Sequence, residues 1–270
     1  ALAIFLGVAA GVCFMGLQAN LAGFQNRMGA FYFILTFFGF STLSSMDVFI
    51  QERALFLKET GAAYYGAWSY YLAKASLDLV SLRIVPAILF SSIFYYLMGL
   101  NPPADRFLLF GSTLVLYNVA AGSLSILLSI VSKTVGIANL LATVVLLVMV
   151  LFGGFLLNVQ TMPAGVAWIQ WLSLFKYAFE VLMTNELSGM LMTFDAQGYA
   201  SIPVYGEVYL NNIGMSADHQ MRDVICLVGI TIGLHLTSYI LLWSQVPRLP
   251  RVRLAEQMPS SGVPASPMRV

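Results

Sequence analysis

The sequence predicts an all-α integral membrane protein with six transmembrane helices. Two observations lead to this class. Hydrophobic residues make up 59% of the 270 residues and charged residues only 9%, whereas soluble domains carry roughly 25% charged residues. The apolar residues are also grouped into long runs, and a helix needs about 20 such residues to cross the hydrocarbon core of a bilayer. A chain of this composition lacks the polar surface that a soluble monomer needs.

Six apolar runs follow one another along the chain. They cover residues 1–17, 28–49, about 79–100, 107–132, 134 to about 159, and 224–243. Pro86 and Gly154 lie inside such runs and do not argue against helices, because membrane helices tolerate both residue types. The uncharged stretch 134–175 is too long for one span. We therefore expect its second half, with Trp168 and Trp171, to form a re-entrant or external segment between the fifth and sixth spans.

The first run opens the chain without a basic leader or a small-residue cleavage pattern, which predicts a truncated first helix rather than a signal peptide. We expect one transmembrane domain over residues 1–245. Residues 246–270 are rich in Pro and Ser and are predicted to form a disordered cytoplasmic tail. Cys13 and Cys226 both lie in apolar runs, so packing roles are expected and no metal site. The net charge of +1 argues against a nucleic-acid partner.

Lysine and arginine are distributed unequally between the two predicted sides of the membrane. Eight fall on one side and four on the other: Arg53, Lys58, Lys74, Lys133, Arg248, Arg251, Arg253 and Arg269 against Arg27, Arg106, Lys176 and Arg222. The richer side is expected to be cytoplasmic. This predicts a multi-pass protein with both termini in the cytoplasm and the connection 160–223 outside. The plasma membrane is the location that we expect.

A short charged segment, "QERALFLKETGAAYYG" at residues 51–66, interrupts the apolar sequence. It places Glu52, Arg53, Lys58 and Glu59 within eight residues, followed by aromatic residues. Such a segment is expected to form a helix in the interface plane with its charges towards water. It could be a plain connector between spans, or a contact through which a cytoplasmic motor domain pushes on them.

Four stretches, in order along the chain, resemble the transmembrane part of the G subfamily of ATP-binding-cassette (ABC) transporters. They are "GFQNRMGAFYF", the charged segment with its E-[RK]-x-x-F-x-x-E pattern, "LDLVSLRIVPAILFSSIFYYLMGLNPPADRF", and "SLFKYAFEVLMTNELSG". The resemblance implies that the charged segment is a coupling helix resting on a nucleotide-binding domain. Its residues in this chain would be Glu52, Arg53, Phe56, Lys58 and Glu59.

The nucleotide-binding machinery is not among these residues, because the sequence contains no G-x-x-x-x-G-K-[ST] motif. The resemblance implies that ATP and Mg belong to a nucleotide-binding domain of the same or a partner polypeptide. It also implies a second transmembrane half, in a homo- or heterodimer surrounded by membrane lipid. The complete transporter would be an ATPase, whereas this chain carries no ATP-hydrolysing residues and no cofactor of its own.

The resemblance places substrate between the second and fifth spans, at Phe37, Phe40, Thr143, Leu147 and Val150. Positions 37 and 40 share one helical face, as do 143, 147 and 150. Aromatic faces with one hydroxyl suit flat, weakly polar molecules. On composition alone, the same residues could face lipid or the protein core.

The same resemblance implies roles for three further residues. Phe155 and Leu156 follow two glycines and match an apolar plug on the exit path, although ordinary helix packing would also explain them. Arg83 matches a third-span residue that modulates substrate choice without contacting substrate. The alternative is that its side chain extends to the cytoplasmic interface.

These features predict the translocating part of an ATP-driven exporter for lipids, sterols or amphipathic xenobiotics. The alternative from another class is a non-pumping channel or a membrane scaffold. A channel requires polar residues repeated along one face of a span, and none of the six runs has them. An integral-membrane enzyme is disfavoured because no His-rich cluster or paired carboxylates occur in the runs.

Overall fold

The protein is helical over most of the residues that its computed structural model describes, which are 2–62, 64–157, 163, 165–194 and 202–246. The α-helices in these ranges are α1 Leu2–Cys13, α2 Leu21–Ser41, α3 Leu43–Gly61, α4 Ala67–Asp78, α5 Val85–Met98, α6 Ala104–Val131, α7 Val135–Leu151, α8 Leu174–Leu187, α9 Gly206–Asn212 and α10 Gln220–Ser244. A π-helical stretch, Leu79–Ile84, joins α4 to α5, and short 3-10 turns cover Ala167–Leu172 and Ala217–His219. Strands β1 Leu191–Phe194 and β2 Ile202–Tyr205 form an antiparallel hairpin.

The predicted all-α membrane class is confirmed by four helical stretches that are long and apolar enough to cross a bilayer. They are Leu21–Gly61, Ala67–Met98, Ala104–Val131 and Ala217–Ser244. Helices α1 and α7 are apolar but shorter, with 12 and 17 residues, and they lie where the first and fifth spans are predicted. The number of six spans stays a prediction, since a straight crossing takes about 20 residues.

The charged segment is not a separate helix, because α3 continues from the membrane-spanning region to Gly61. Helices α2 and α3 are separated only at Thr42, whose hydroxyl donates to Gly39 O at 2.7 Å and lies 2.6 Å from Ser125 Oγ. No Gly or Pro occurs from residue 43 to residue 60, so nothing in the sequence breaks the helix before Gly61. Glu52 to Glu59 therefore form its last turns.

The fifth predicted span ends earlier than expected, at Leu151 instead of about residue 159. Three residues later Gly154 has a φ of +90°, a left-handed conformation that favours glycine, and so the helix does not resume there. Residues 158–162 lie outside the described residues. The predicted tail lies outside them as well, except for Val246.

Two features of the packing concern the burial of α8 and the contact between α1 and α5. All residues of α8 are buried, so this helix of the connection between the predicted fifth and sixth spans is enclosed by its neighbours. Helix α1 packs on α5 through Gly7 and Gly11, where an added Cβ would lie 3.5 Å from Phe90 and 2.7 Å from Leu97. Small residues four apart allow such close contact between membrane helices.

Gly11→Ala is expected to destabilise the protein by about 1–3 kcal/mol, the usual range for overpacking. The new methyl group would lie 2.7 Å from Leu97 Cβ, an atom that cannot rotate away. Thermal unfolding of the purified protein in detergent measures the effect. Gly29→Ala is the matched control, because an added Cβ there meets nothing within 4 Å. An equal melting temperature for both variants would contradict the close α1–α5 contact.

Candidate functional site

Arg53 joins the end of α3 to the ends of two other helices. Its Nη1 donates to Ser132 O at 2.9 Å and its Nη2 to Gln245 Oε1 at 2.6 Å. The amide of Gln245 in turn donates to Ile130 O at 3.2 Å. The last carbonyls of a helix have no partner within the helix. Arg53 and Gln245 therefore satisfy the end of α6 and hold α3, α6 and α10 together.

The two acids of the charged segment are paired with neighbouring residues. Glu52 Oε2 accepts a bond from Lys74 Nζ at 2.6 Å, with side chains 43% and 25% exposed. Glu59 Oε2 accepts a bond from the Tyr65 hydroxyl at 2.7 Å. An exposed ion pair contributes only about 0–1 kcal/mol to stability, so the Glu52–Lys74 pair serves to orient α4 against α3.

Phe56 and Lys58 lie on different faces of α3. Phe56 is buried and stacks on Tyr70 of α4, with ring centroids 4.3 Å apart. Lys58 is exposed and shares its face with Gln51 and the exposed Leu55. Of the five predicted coupling residues, four thus contact other parts of this chain, and Lys58 is directed to the surface.

Phe37 and Phe40 lie together on α2, as the spacing predicts. Both are half-buried and line a recess of about 480 Å³ that also includes Phe33 and Thr36. The residues lining this recess come from α1, α2 and the start of α3. No residue of α7, which the structure describes throughout, lines this recess. Within one chain, α7 therefore does not cover the aromatic face of α2.

The three predicted residues of α7 do not share one environment. Val150 is buried, Thr143 is half-buried and Leu147 is 52% exposed. Near the end of α7, the Tyr32 hydroxyl of α2 donates to Val150 O at 2.7 Å. Val150 thus belongs to the contact between α2 and α7 of the same chain, and Leu147 to the outer face of α7.

The predicted plug residues are also separated. Phe155 is half-buried and packs against Tyr32 and Phe179, with ring centroids 4.7 and 6.2 Å away. Leu156 is 54% exposed. An added Cβ on Gly153 would lie 3.1 Å from Phe175 Cβ, so this glycine lets the turn approach α8. The turn places one bulky residue inside the protein and the next outside.

Arg83 is enclosed by protein and does not extend to an interface. It is 2% exposed. Its Nε donates to Asp78 Oδ2 at 2.9 Å and its Nη2 to Asp78 Oδ1 at 3.2 Å and Ser45 Oγ at 2.7 Å. An added Cβ on Gly122 of α6 would lie 2.7 Å from Nε. Arg83 and Phe37 also line a common recess of about 380 Å³.

A second buried ion pair was not predicted from the sequence. Arg27 Nε of α2 donates to Glu186 Oε1 of α8 at 3.2 Å, with side chains 5% and 2% exposed. Glu186 Oε2 accepts a bond from Asn101 N at 3.1 Å. Burial raises the pKa of Glu186, against the opposing effects of Asn101 and Arg27. The sequence signal was the Asn-Glu pair at the end of the "FEVLMTNE" motif, together with an arginine at the start of the second span.

Two buried carboxyl groups meet between α8 and α10. Glu180 is 2% exposed and Asp223 is fully buried. Glu180 Oε1 accepts a bond from Ser216 N at 3.4 Å and lies 3.6 Å from His219 Nδ1. Burial raises the pKa of Glu180 to about 7, and the neighbouring Asp223 carboxyl adds to the increase. Arg222 donates to Asp223 Oδ1 at 3.0 Å.

Metal-ligating chemistry has no support in the part of the chain that the structure describes. No group of three or more His, Cys, Asp and Glu side chains in these ranges could hold a metal ion. The polar side chains described above instead form hydrogen bonds and ion pairs between helices. The architecture is therefore that of a multi-pass helical membrane domain with internal ion pairs and a fully buried helix, α8.

The chain belongs to the ABC-2 type transporter family, which matches residues 1–187. It is 33% identical over 240 residues to ABC transporter G family member 24 of Dictyostelium discoideum, covering 88% of this chain and 21% of that protein. Over 219 residues it is 33% identical to the broad substrate specificity ATP-binding cassette transporter ABCG2 of Bos taurus, covering 78% and 33%. With ABC transporter G family member 5 of Arabidopsis thaliana the identity is 31% over 236 residues, covering 87% and 36%.

These relatives confirm the resemblance to the G subfamily and identify the chain as similar to the membrane part of an ABC transporter. The chain spans between 21% and 36% of the length of the relatives named here.

Stability is expected to fall as the pH rises from about 4.5 to about 7, because of Glu180. In this window the folded protein keeps the carboxyl protonated while the unfolded chain has lost the proton. The folded state therefore binds more protons, and its stability decreases with rising pH. Melting temperatures at pH 5 and pH 7.5 measure the effect. Glu180→Gln should reduce the difference between them, because an amide does not titrate.

The exposed residue Glu207 provides the control for this prediction. Glu207→Gln should leave the difference between the two melting temperatures as it is in the unchanged protein. The assignment of the pH dependence to Glu180 is wrong if Glu180→Gln behaves like the control.

Proposed function

We propose that this chain is the substrate-translocating part of an ATP-driven exporter for lipids, sterols or amphipathic xenobiotics. The observation that carries the proposal is the end of α3, where a charged segment is bonded to α4, α6 and α10 while one of its faces remains at the surface. The relatives support it, since they are named as ABC transporters, and one as having broad substrate specificity.

The exposed face of α3 would receive the nucleotide-binding domain. Gln51, Leu55 and Lys58 follow one another at helical spacing on that face. The other side of the same turns carries Glu52, Arg53 and Phe56, which contact the rest of this chain. A push on the exposed face is therefore passed to α4, α6 and α10 through bonds already formed. ATP and Mg would be bound by the nucleotide-binding domain, in the same or a partner polypeptide.

The outer face of α7 supports a dimer, formed with an identical or a different second half. Large apolar residues recur there at alternating spacings of three and four, and they are 41–68% exposed: Ile137, Leu140, Val144, Leu147 and Leu151. This spacing is the one with which two helices interlock along a common seam. The opposite face of α7 is buried in its own chain, through Ala138, Ala142, Leu146 and Val150.

Substrate would be held where the aromatic face of α2 meets α7 of the partner half. Phe37 and Phe40 offer flat apolar surface, and Thr143 offers a hydroxyl. ATP binding would press on α3, change the tilt of the spans and open the turn at Phe155 and Leu156 towards the exit side. Transport would follow because the affinity for substrate differs between the two states. The distribution of Lys and Arg supports cytoplasmic termini, and the plasma membrane is the location that we propose.

The proposed function is tested with the full-length protein in inside-out membrane vesicles. We expect ATP-dependent uptake of at least one of three probes: cholesterol, a fluorescent phosphatidylcholine and rhodamine 123. Phe40→Ala should raise the apparent KM of the transported probe by about 3- to 10-fold, since an aromatic contact contributes about 0.5–1.5 kcal/mol beyond its buried area. Phe5→Ala is the matched control, because Phe5 is 70% exposed on α1. ATP hydrolysis without uptake of any probe would contradict the proposal.

Charge reversal at Glu52 and Lys74 tests the contact between α3 and α4. Glu52→Lys alone, or Lys74→Glu alone, places like charges where the oxygen and nitrogen now lie 2.6 Å apart. Each should lower the amount of probe moved per ATP hydrolysed, with little change in thermal stability. The double reversal restores opposite charges and should restore this ratio. Lys133→Glu, at an exposed turn, is the control; a double variant no better than the single ones would contradict the role of the pair.

A further inference from the structure

Three polar side chains from three helices meet inside the apolar bundle: Tyr71 of α4, Ser123 of α6 and His235 of α10. His235 Nδ1 lies 2.9 Å from the Tyr71 hydroxyl, and His235 Nε2 lies 2.7 Å from Ser123 Oγ. The Tyr71 hydroxyl also lies 3.1 Å from the backbone carbonyl of His235. Ser123 donates to Val119 O at 2.8 Å. Both nitrogens of the imidazole are therefore in use.

Histidine is suited to this bridge because its ring has a nitrogen on each side. In the neutral ring one nitrogen donates and the other accepts, and hydroxyl groups can complement either role. In hydrocarbon an unpaired polar group costs several kcal/mol. Separating α4 from α10, or α6 from α10, would leave a nitrogen of His235 unpaired, so the three helices are held at fixed distances.

The surroundings of His235 contain few other polar groups. Tyr239 packs on Tyr71 and on Trp68, with ring centroids 5.8 and 5.1 Å apart. Asp78 acts on His235 electrostatically, but its oxygens are bonded to Arg83. The hydroxyls of Tyr71 and Ser123 are thus the side-chain groups that the described structure places against the ring.

Helix α4 lies between this bridge and the charged end of α3. Tyr70 stacks on Phe56 and Lys74 pairs with Glu52. The neighbouring residue Tyr71 contacts His235. A displacement of the end of α3 therefore moves α4, and α4 can act on α6 and α10 through one imidazole ring.

We propose that His235 is a positioning residue that links α4 to α6 and α10, so that movement of the charged segment reaches both helices. The inference rests on the proposed function and adds to it a specific route inside the membrane. In this role His235 contacts neither substrate nor nucleotide. It keeps Tyr71 and Ser123 on opposite sides of one rigid ring.

Two amide substitutions separate the two arms of the bridge. The side-chain amide of His235→Asn reaches the position of Nδ1 and keeps the contact with Tyr71. The amide of His235→Gln reaches the position of Nε2 and keeps the contact with Ser123. His235→Leu removes both side-chain contacts and leaves the Tyr71 hydroxyl its contact with the backbone carbonyl of residue 235. Tyr71→Phe removes that contact as well, so it should reduce the response at least as much as the Gln variant. Ser123→Ala should reproduce the Asn variant.

The readout is the response of the external end of α10 to nucleotide, which requires no knowledge of the substrate. Met221 is 70% exposed there. Met221→Cys is introduced into the full-length protein with Cys13→Ser and Cys226→Ser, in lipid nanodiscs, and its rate of labelling by a maleimide is measured with and without ATP and vanadate. ATP hydrolysis is measured in parallel.

In the protein with His235, ATP and vanadate should change the labelling rate. His235→Asn and Ser123→Ala should keep this change. With His235→Gln, His235→Leu and Tyr71→Phe, the ratio of the two rates should approach one while ATP hydrolysis continues. Leu236→Ala, next to His235 and 57% exposed, is the control and should respond normally. Tyr71→Phe keeps the test decisive if His235→Leu does not fold.

A full response in His235→Leu or Tyr71→Phe would overturn the inference, as would equal losses in the Asn and Gln variants. If the protein with His235 hydrolyses ATP but shows no labelling response, the proposed coupling of ATP to the membrane domain fails instead. The two failures are therefore distinguishable.

Discussion

The buried pair of Arg83 and Asp78 is the interaction on which the surrounding helices depend. Arg83 is 2% exposed, and a charge enclosed in this way is stable only when it is paired and hydrogen-bonded. The two residues are five apart, and they face each other across a π-helical stretch, in which the backbone bonds also span five residues. Ser45 of α3 and Gly122 of α6 complete the enclosure. The π-helical backbone between α4 and α5 thus connects the two residues of this ion pair, Asp78 and Arg83.

The same requirement explains why an apolar protein carries a charged segment at the end of α3. Arg53 satisfies the end of α6 and contacts Gln245, and Glu52 fixes α4. These charges therefore form contacts between helices of this chain. Lys58, on the exposed face of the same turns, is the residue left for the partner surface that we propose.

Local patterns in the sequence were enough to predict the apolar runs and the all-α membrane class. They did not predict the partners of Arg53, which lie 79 and 192 residues away, because spacing along one helix carries no information on which helices are neighbours. The end of α7 was predicted about eight residues too far along the chain, since the apolar run continues past Gly154 although the helix ends at Leu151. The left-handed conformation of Gly154 then keeps the chain from resuming the helix.

The two internal networks converge on adjacent residues of α6. Gly122 admits the Arg83 guanidinium, and Ser123 contacts His235. Both networks also include α4 or the stretch after it, through Tyr71 at one end and Asp78 at the other. Helix α4 is therefore connected to α6 through intermediate residues, at two points about two turns apart along α4. His235 of α10 is the intermediate at Tyr71. Arg83, whose carbonyl accepts a bond from Asn118 of α6, is the intermediate at Asp78. Two such connections restrict rotation of α4 more than one contact would, and α6 in turn packs against α8 through Tyr117 and Phe175, whose ring centroids lie 5.2 Å apart.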